Sequence, residues 1–333
     1  KCEFHPNLNL EVYEEENYFF RFSKYQKPLL NFYENNPNFV IPESKYNEIR
    51  EFVKRGLDDF SVSRLKSKMP WGVDVPDDPE HVMYVWFDAL VNYISALGWP
   101  KELKKFDEFW PGIQTAGKDN LRQQTAIWQA MLLSANLPNT KQVFIHGFMT
   151  ANGQKISKSL GNVVDPIELV KKSGTDSLRY YLLAKVHPWE DSDFTWEKYN
   201  DAYNSDLANG LGNLVARVAK LCEKENFEFT ADAWRFEEAP FDQVRKNLDK
   251  FKFNDALSII WSWIGRLDQT IEENKPWTLS SEKLKARLDD YVHQIRRIAT
   301  ALAPFLPETS EKILAQFVGP TIKSGASLFP RIK

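Results

Sequence analysis

The sequence predicts an α/β fold with a parallel sheet, followed by an all-α helix bundle. Three observations carry this expectation. As far as Phe194, short apolar strands alternate with helices, the pattern of a parallel sheet. Beyond Phe194 the apolar residues recur at helical spacing over long stretches joined by short, Pro-containing connections. Between the two, a glycine-flanked run of lysines and serines links a strand to a helix.

Taken in order, residues 11–60 alternate aromatic-rich segments, Tyr18-Phe19-Phe20 and Ser23-Lys24-Tyr25, with the Asn35-Asn36-Pro37 turn, and a helix is expected over 44–55. This segment reads as an insertion that packs on something else. His81-Val82-Met83-Tyr84-Val85-Trp86 reads as a buried strand feeding a helix over 88–97, which Gly98 and Pro100 stop. A short strand before Gly117 feeds a helix over 120–135, and residues 142–146 form a third strand. Helices are then expected over 196–226, 241–274, 281–302 and 308–317. No internal repeat or low-complexity segment interrupts them.

A chain of 333 residues with 43% hydrophobic and 14% aromatic residues can bury a large core, which excludes disorder. Its net charge is −3, with 23 basic and 26 acidic residues up to Phe194 and 20 of each after it. Any nucleic-acid contact therefore needs a local patch, because there is no bulk positive field. Two cysteines, Cys2 and Cys222, form no disulfide framework and suggest a reducing compartment such as the cytoplasm. No apolar run is long enough to span a membrane. The start, Lys1-Cys2-Glu3-Phe4-His5, lacks an initiator Met and a signal-peptide core, so the chain is expected to begin inside a longer protein.

The most informative stretch is Gly153-Gln154-Lys155-Ile156-Ser157-Lys158-Ser159-Leu160-Gly161-Asn162. Lysine is a compact charge on a flexible stem, suited to following a phosphate whose charge moves during reaction. Gly153 and Gly161 bracket the loop. The strand ending at His146 precedes it, and Asp165-Pro166 opens a helix after it by N-cap and Pro-at-first-turn logic. Alone, the run reads first as a solvated basic loop; the flanking strand and helix favour a phosphate clamp instead.

On these residues the chain resembles the class I aminoacyl-tRNA synthetases, whose second signature is Lys-Met-Ser-Lys-Ser, with Ile156 here in place of Met. The run from His146 to Pro166 and the helix Gly174-Thr175-Asp176-Ser177-Leu178-Arg179-Tyr180-Tyr181 are similar to the methionyl enzymes, and the resemblance covers nearly the whole chain. It implies three regions: a remnant of the connective insertion over 1–60 with half a zinc knuckle, the carboxyl half of a nucleotide-binding Rossmann-type catalytic domain over 61–194, and an α-helical anticodon-binding domain over 195–333. It also implies that methionine, ATP with Mg2+, and tRNA(Met) are the ligands, and that Lys155, Ser157, Lys158 and Ser159 form the catalytic loop.

Trp86, Ala89, Leu90 and Tyr93 stand at spacings of three, four and seven, one apolar helical face. Such a stripe is what any helix packs into a core; the resemblance makes it the methionine pocket, where an aromatic wall suits a thioether. Gly117-Lys118-Asp119-Asn120 closes a strand and opens a helix, the edge at which open α/β sheets bind ligands. Asp119 could be a helix N-cap; the resemblance makes it the ATP ribose ligand, with Gly117, His146 and Lys158 also at the nucleotide. Many methionyl enzymes continue this motif with an Ile and later a Phe-His pair that shapes the methionine pocket, where this chain has Asn120 and Gln123-Gln124. Asn120 and Gln124 are carried as pocket candidates, Gln124 as a hydrogen-bonding group.

Cys2-Glu3-Phe4-His5 has the spacing of half a zinc knuckle. The resemblance makes Cys2 and His5 two Zn2+ ligands of the parent protein. On the expected helix near 202–224, Leu207, Leu211, Leu214, Val215, Val218 and Leu221 form the apolar face, and Asn209, Asn213 and Arg217 a polar stripe opposite. On residue type alone a solvated face is the favoured reading of that stripe; the resemblance makes it the anticodon reader, with Trp277 as a base-stacking partner. The five histidines include no His-x-Gly-His context, so the first class I signature is absent from this sequence.

The activity this implies is methionine–tRNA ligation, with the chain inactive as an isolated fragment. Two alternatives are carried with it: a class I enzyme for another amino acid, and a non-catalytic tRNA-binding module. Only about seventy residues separate Trp86 from Lys155, too few for the editing insertion usual in leucyl, isoleucyl and valyl enzymes. A monomer and a homodimer are both open.

Overall fold

The computed structural model describes residues 14–156, 161–229 and 238–332. They form two compact units, divided after His146. The expected regions 1–60, 61–194 and 195–333 follow periodicity and the family resemblance, whereas this division follows packing.

The first unit runs β1 (Phe19–Phe20), α1 (Gln26–Asn35), β2 (Val40–Ile41), α2 (Glu43–Lys54), β3 (Phe60–Ser61), β4 (Ser63–Leu65), β5 (Asp74–Val75), β6 (Asp78–Met83), α3 (Val85–Ala89), α4 (Asn92–Ser95), α5 (Leu103–Phe109), β7 (Ile113–Gly117), α6 (Trp128–Ser134) and β8 (Gln142–His146). The central sheet is parallel, in the order β2-β8-β7, as the alternation of strands and helices predicts. Val143 and Ile145 of β8 are buried against Leu29 and Tyr33 of α1 and Ile49 and Val53 of α2. The Tyr33 hydroxyl donates to the Thr125 carbonyl at 2.6 Å, which ties α1 to the segment leading into α6. The aromatic-rich segment read as an insertion thus contributes an edge strand, β2, and two helices to the sheet itself.

Three local expectations are corrected. The expected buried strand 81–86 is β6, which ends at Met83 and pairs antiparallel with β4 and β5; of its six residues only Val82 is buried. Val85 and Trp86 are already in α3, because Tyr84 has the extended backbone of an N-cap residue. The expected helix 88–97 is broken into α3 and α4. At the break the Asn92 side chain donates to the Ala89 carbonyl, and Val91 N bonds back only three residues, to Asp88 O. The expected helix 120–135 begins as a 3₁₀ turn, Lys118–Asn120, and contains a π turn, Gln123–Ile127, before α6. There the Gln129 side chain donates to the Gln124 carbonyl at 2.8 Å and so satisfies a backbone acceptor.

The second unit runs β9 (Met149–Ala151), β10 (Gln154–Lys155), α7 (Pro166–Ser173), α8 (Thr175–Tyr180), β11 (Ser192–Phe194), α9 (Trp196–Ala202), α10 (Asn213–Lys224), α11 (Glu238–Leu248), α12 (Phe253–Asn274), α13 (Ser281–Leu302) and α14 (Pro307–Gln316). A π-helical stretch, Tyr203–Gly212, joins α9 to α10 without a break, as the expected helix 196–226 requires. The expected helix 241–274 is two helices instead. Phe251 is left-handed, and Lys252 N bonds back to Asn247 O at 2.9 Å, a helix stop that uses no glycine.

The bundle core holds Leu207, Leu211, Leu214, Val215 and Val218 against Ile260 and Leu267 of α12 and Leu288 and Val292 of α13. Leu221 packs on it half-buried. Asp176, in α8, accepts from Thr309 N at 2.6 Å and so caps the first turn of α14. Arg179 donates to the Phe305 and Pro304 carbonyls at 2.6 and 2.8 Å. The conspicuous 174–181 motif is therefore bonded to the C-terminal end of the bundle.

Candidate functional site

In the first unit, Gly117 and His146 are direct partners at the carboxyl ends of the neighbouring parallel strands β7 and β8. This is the edge where open α/β sheets receive ligands, since the backbone turns away there and leaves a crevice. Gly117 caps the 3₁₀ turn, and Asp119 sits within the turn. Asp119 is thus no N-cap. Its carboxylate is exposed and accepts from Asn120 Nδ2 at 3.3 Å. Gly117, Asp119 and His146 share one edge. Asn120, expected in the methionine pocket, donates from its side chain to Asp119 at this edge.

Of the four residues of the expected pocket face, Trp86, Ala89 and Tyr93 are half-buried, whereas Leu90 is buried in the core with Ile94, Trp128 and Met131. The break between α3 and α4 explains the difference, since spacing along one regular helix no longer sets the shared face. Gln124 is buried, and its Nε2 donates to the Tyr93 hydroxyl at 3.0 Å. The Tyr93 ring lies 6.1 Å from that of Trp128. The Gln124 side-chain oxygen, Oε1, is buried and has no hydrogen-bond partner among the described residues. The first unit also has an apolar cavity lined by Phe87, Val91 and Ile94, the residues that alternate with the expected face.

Gln129 was not singled out from sequence. Its fully buried amide donates to the Gln124 carbonyl and to Thr140 Oγ1, and accepts from Thr140 N and Asn139 Nδ2, all within 3.1 Å. It fixes the π turn that carries Gln124. A glutamine in an apolar helix stretch carries no signature of such a role.

In the second unit, the lysine loop is entered through a hairpin, β9–β10, in which Lys155 faces Thr150. The glycine-bracketed run predicts a loop here; the Asn152-Gly153 dipeptide signals the hairpin, for both residues have positive φ. Gly161 also has positive φ, so both bracketing glycines occupy backbone that favours glycine. Ser157, Lys158 and Ser159 lie outside the described residues, as does the Lys155 side chain. After the loop, Asp165 caps α7 by accepting from Ile167 N at 2.8 Å, and Pro166 occupies the first turn.

On the helix surface, Asn209 and Asn213 are exposed and Arg217 is half-buried. Arg217 is gripped by two carboxylates of α12, Asp268 and Glu272. Asn209 Oδ1 accepts from Arg331 Nη2 at 2.7 Å and from Nε at 3.1 Å. Trp277 is 53% exposed, held in a 3₁₀ turn that follows the left-handed Lys275. Cys222 is fully buried, and burial pushes its thiol up to about 12. Cys2 and His5 lie outside the described residues, and among those described no group of three or more His, Cys, Asp or Glu could hold a metal. No helix among the described residues is long and apolar enough to cross a membrane.

A parallel-sheet ligand edge, a lysine loop and a helix bundle follow one another along the chain, the order that the resemblance to class I tRNA synthetases implies. Residues 2–219 match the family described as tRNA synthetases class I (M), and residues 240–330 the anticodon-binding domain of tRNA ligases. The chain is 41% identical over 316 residues to the methionine–tRNA ligase of Thermotoga maritima, covering 90% of this chain and 50% of the relative. It is 40% identical to that of Bacillus subtilis, covering 94% and 49%. A solved structure of the Mycobacterium tuberculosis methionyl-tRNA synthetase in complex with methionyl-adenylate superimposes with a TM-score of 0.86 at 35% identity, covering 95% of this chain and 69% of that one. The chain belongs to the methionyl-tRNA synthetases. It spans about half the length of the curated relatives it matches.

Proposed function

We propose that the protein carrying this chain activates methionine with ATP and transfers it to tRNA(Met). The observation that carries the reading is the pairing of Gly117 with His146 at one sheet edge, with the exposed Asp119 carboxylate on the turn beside them, in a chain of the methionyl family. The methionine carboxylate attacks the α-phosphorus of ATP and expels pyrophosphate; the adenylate then passes to the terminal ribose of the tRNA, releasing AMP. An ionised carboxylate needs no base, so the protein's task is alignment and stabilisation of charge on the phosphates. Lys158 is the mobile cation for that charge, with Lys155, Ser157 and Ser159 supporting it. Asp119 holds the ribose, and Gly117 lets the backbone approach the nucleotide beside His146. Mg2+ accompanies the ATP and neutralises its phosphates.

Trp86, Ala89, Tyr93 and Gln124 face methionine, with Leu90 supporting them from the core. Asn209, Asn213, Arg217 and Trp277 read the anticodon. Cys2 and His5 are two zinc donors where a structural site takes four, so no step depends on that metal. The reaction belongs to the cytoplasm, where the buried Cys222 stays reduced.

Pyrophosphate exchange by the whole protein, over a panel of amino acids, tests the reading. Methionine-dependent exchange supports it, and exchange with another amino acid only, or with none, refutes it. Binding of tRNA(Met) with and without its CAU anticodon, at one stated salt concentration, tests the second half on the 333-residue chain itself.

A further inference from the structure

β11 runs parallel to β9, with Asp193 directly opposite Thr150. The Asp193 carboxylate Oδ1 accepts from the Thr150 hydroxyl and from the Gly153 amide, both at 2.7 Å. Gly153 is the second residue of the left-handed Asn152-Gly153 turn, so its N–H lies at the point where the chain reverses toward Lys155. The other carboxylate oxygen faces Lys198 Nζ at 3.4 Å, and the same ammonium reaches the Asp193 carbonyl at 3.3 Å. Lys198 is in the first turn of α9, where its own N–H is capped by Thr195 Oγ1 at 3.1 Å. From that turn the helix continues unbroken to Lys224 and carries Asn209, Asn213 and Arg217. A second strut runs beside the first, since Asn152 N donates to Phe194 O at 3.1 Å.

We infer that Asp193 is a positioning residue for the lysine loop, tying the turn at its base to the first turn of the helix that bears the anticodon-reading stripe. The inference rests on the ligase reading above and adds a residue that the resemblance does not supply. One carboxylate serves both attachments. A turn amide and a hydroxyl from the hairpin occupy one oxygen, and a helix ammonium the other. The two hairpin bonds, the Gly153 amide first, hold the carboxyl below the usual aspartate range, as a group that works ionised requires. A loop that must place a cation on a phosphate loses rate when its base shifts, because small misplacements of reacting groups are costly.

Three variants separate the attachments. Asp193→Ala removes both. Asp193→Asn keeps a carbonyl oxygen for Gly153 and Thr150 and places an amide against Lys198. Lys198→Gln removes only the helix attachment. In the whole enzyme, Asp193→Ala should lower kcat for methionine-dependent pyrophosphate exchange by about 10²-fold, with the methionine KM within about twofold. Asp193→Asn should recover most of that loss. In the 333-residue chain, amide exchange at Gly153 should quicken in Asp193→Ala and stay near wild type in Asp193→Asn and Lys198→Gln. Lys198→Gln should lower the aminoacylation kcat more than the pyrophosphate-exchange kcat, and equal values in both reactions overturn the helix attachment. Unchanged Gly153 exchange and unchanged kcat in Asp193→Ala overturn the inference. So does a loss shared equally by kcat, methionine KM, tRNA affinity and thermal midpoint, since that pattern is general unfolding. A wild-type enzyme without methionine-dependent exchange refutes the ligase reading instead, and the Gly153 exchange measurement still decides the positioning.

Discussion

Gln124 reaches from a π turn to donate to the Tyr93 hydroxyl at 3.0 Å, joining the two segments that face the expected methionine pocket. Replacing Gln124 with Ala removes that bond and the buried carbonyl oxygen beside it. A hydrogen bond of this kind is worth roughly 0.5–1.5 kcal/mol. The methionine KM in pyrophosphate exchange should rise up to about tenfold while the ATP KM stays within about twofold. Equal changes in both constants would remove Gln124 from the amino-acid side of the site.

Arg217 is held by Asp268 and Glu272, so in the proposed anticodon contact the guanidinium would have to leave two carboxylates. Arg217→Ala should cost about 1–3 kcal/mol of tRNA(Met) affinity and lessen the preference for the CAU anticodon. Asp268→Asn with Glu272→Gln should tighten binding at low salt, because it removes two anionic competitors of the tRNA. Weaker binding in the double variant would mean that the carboxylates orient Arg217 for its contact.

Trp277 exposes about half of its surface (53%) and is fixed at its backbone by the turn after α12. Trp277→Ala should weaken anticodon stem-loop binding by about 1–3 kcal/mol, the range for one base stack. Its thermal midpoint should hardly move. A large drop in midpoint with unchanged affinity would make the ring structural.

Asp176 is a buried carboxylate that caps α14 through Thr309 N at 2.6 Å. Asp176→Ala leaves that buried amide without its acceptor, at a cost of about 1.5–3 kcal/mol in urea unfolding. Asp176→Asn keeps an acceptor and should lose less. Equal losses in the two variants would assign the effect to packing.

His81 stands between Asp78 Oδ2 and the Glu16 carbonyl, 2.9 Å from each, so the protonated ring donates at both ends. The Glu16 carbonyl raises the His81 pKa, opposed next by burial, with Asp78 adding to the rise. The Tyr18 hydroxyl, with the Glu80 amide and His81, lowers that of Asp78. A raised histidine contributes stability that is full below its unfolded value and is lost as pH rises through the folded one. A lowered aspartate contributes above its unfolded value and is lost as pH falls through the folded one. The clamp should therefore be complete between about pH 4 and 6.5, the unfolded values of the two groups. The urea-midpoint gap between wild type and His81→Gln should be widest there and narrow on the alkaline side. A gap that stays flat through pH 9 would show that His81 remains neutral.

The sequence by itself determined the parallel sheet, the helix bundle, strand 142–146, the apolar face from Leu207 to Val218 and the capped helix after the lysine loop. Periodicity, caps and glycine–proline punctuation are local, and the chain obeys them wherever packing does not compete. The remaining features depend on packing between distant parts of the chain. In the tertiary structure Asp119 is an exposed carboxylate within a turn, Leu90 belongs to the core, residues 26–54 pack on the sheet, and Asp193 bonds a turn forty positions earlier in the chain. Each of these depends on which distant backbone group lies within hydrogen-bonding reach. Side-chain amides and carboxylates accept such partners from any direction, so residue spacing carries no record of them.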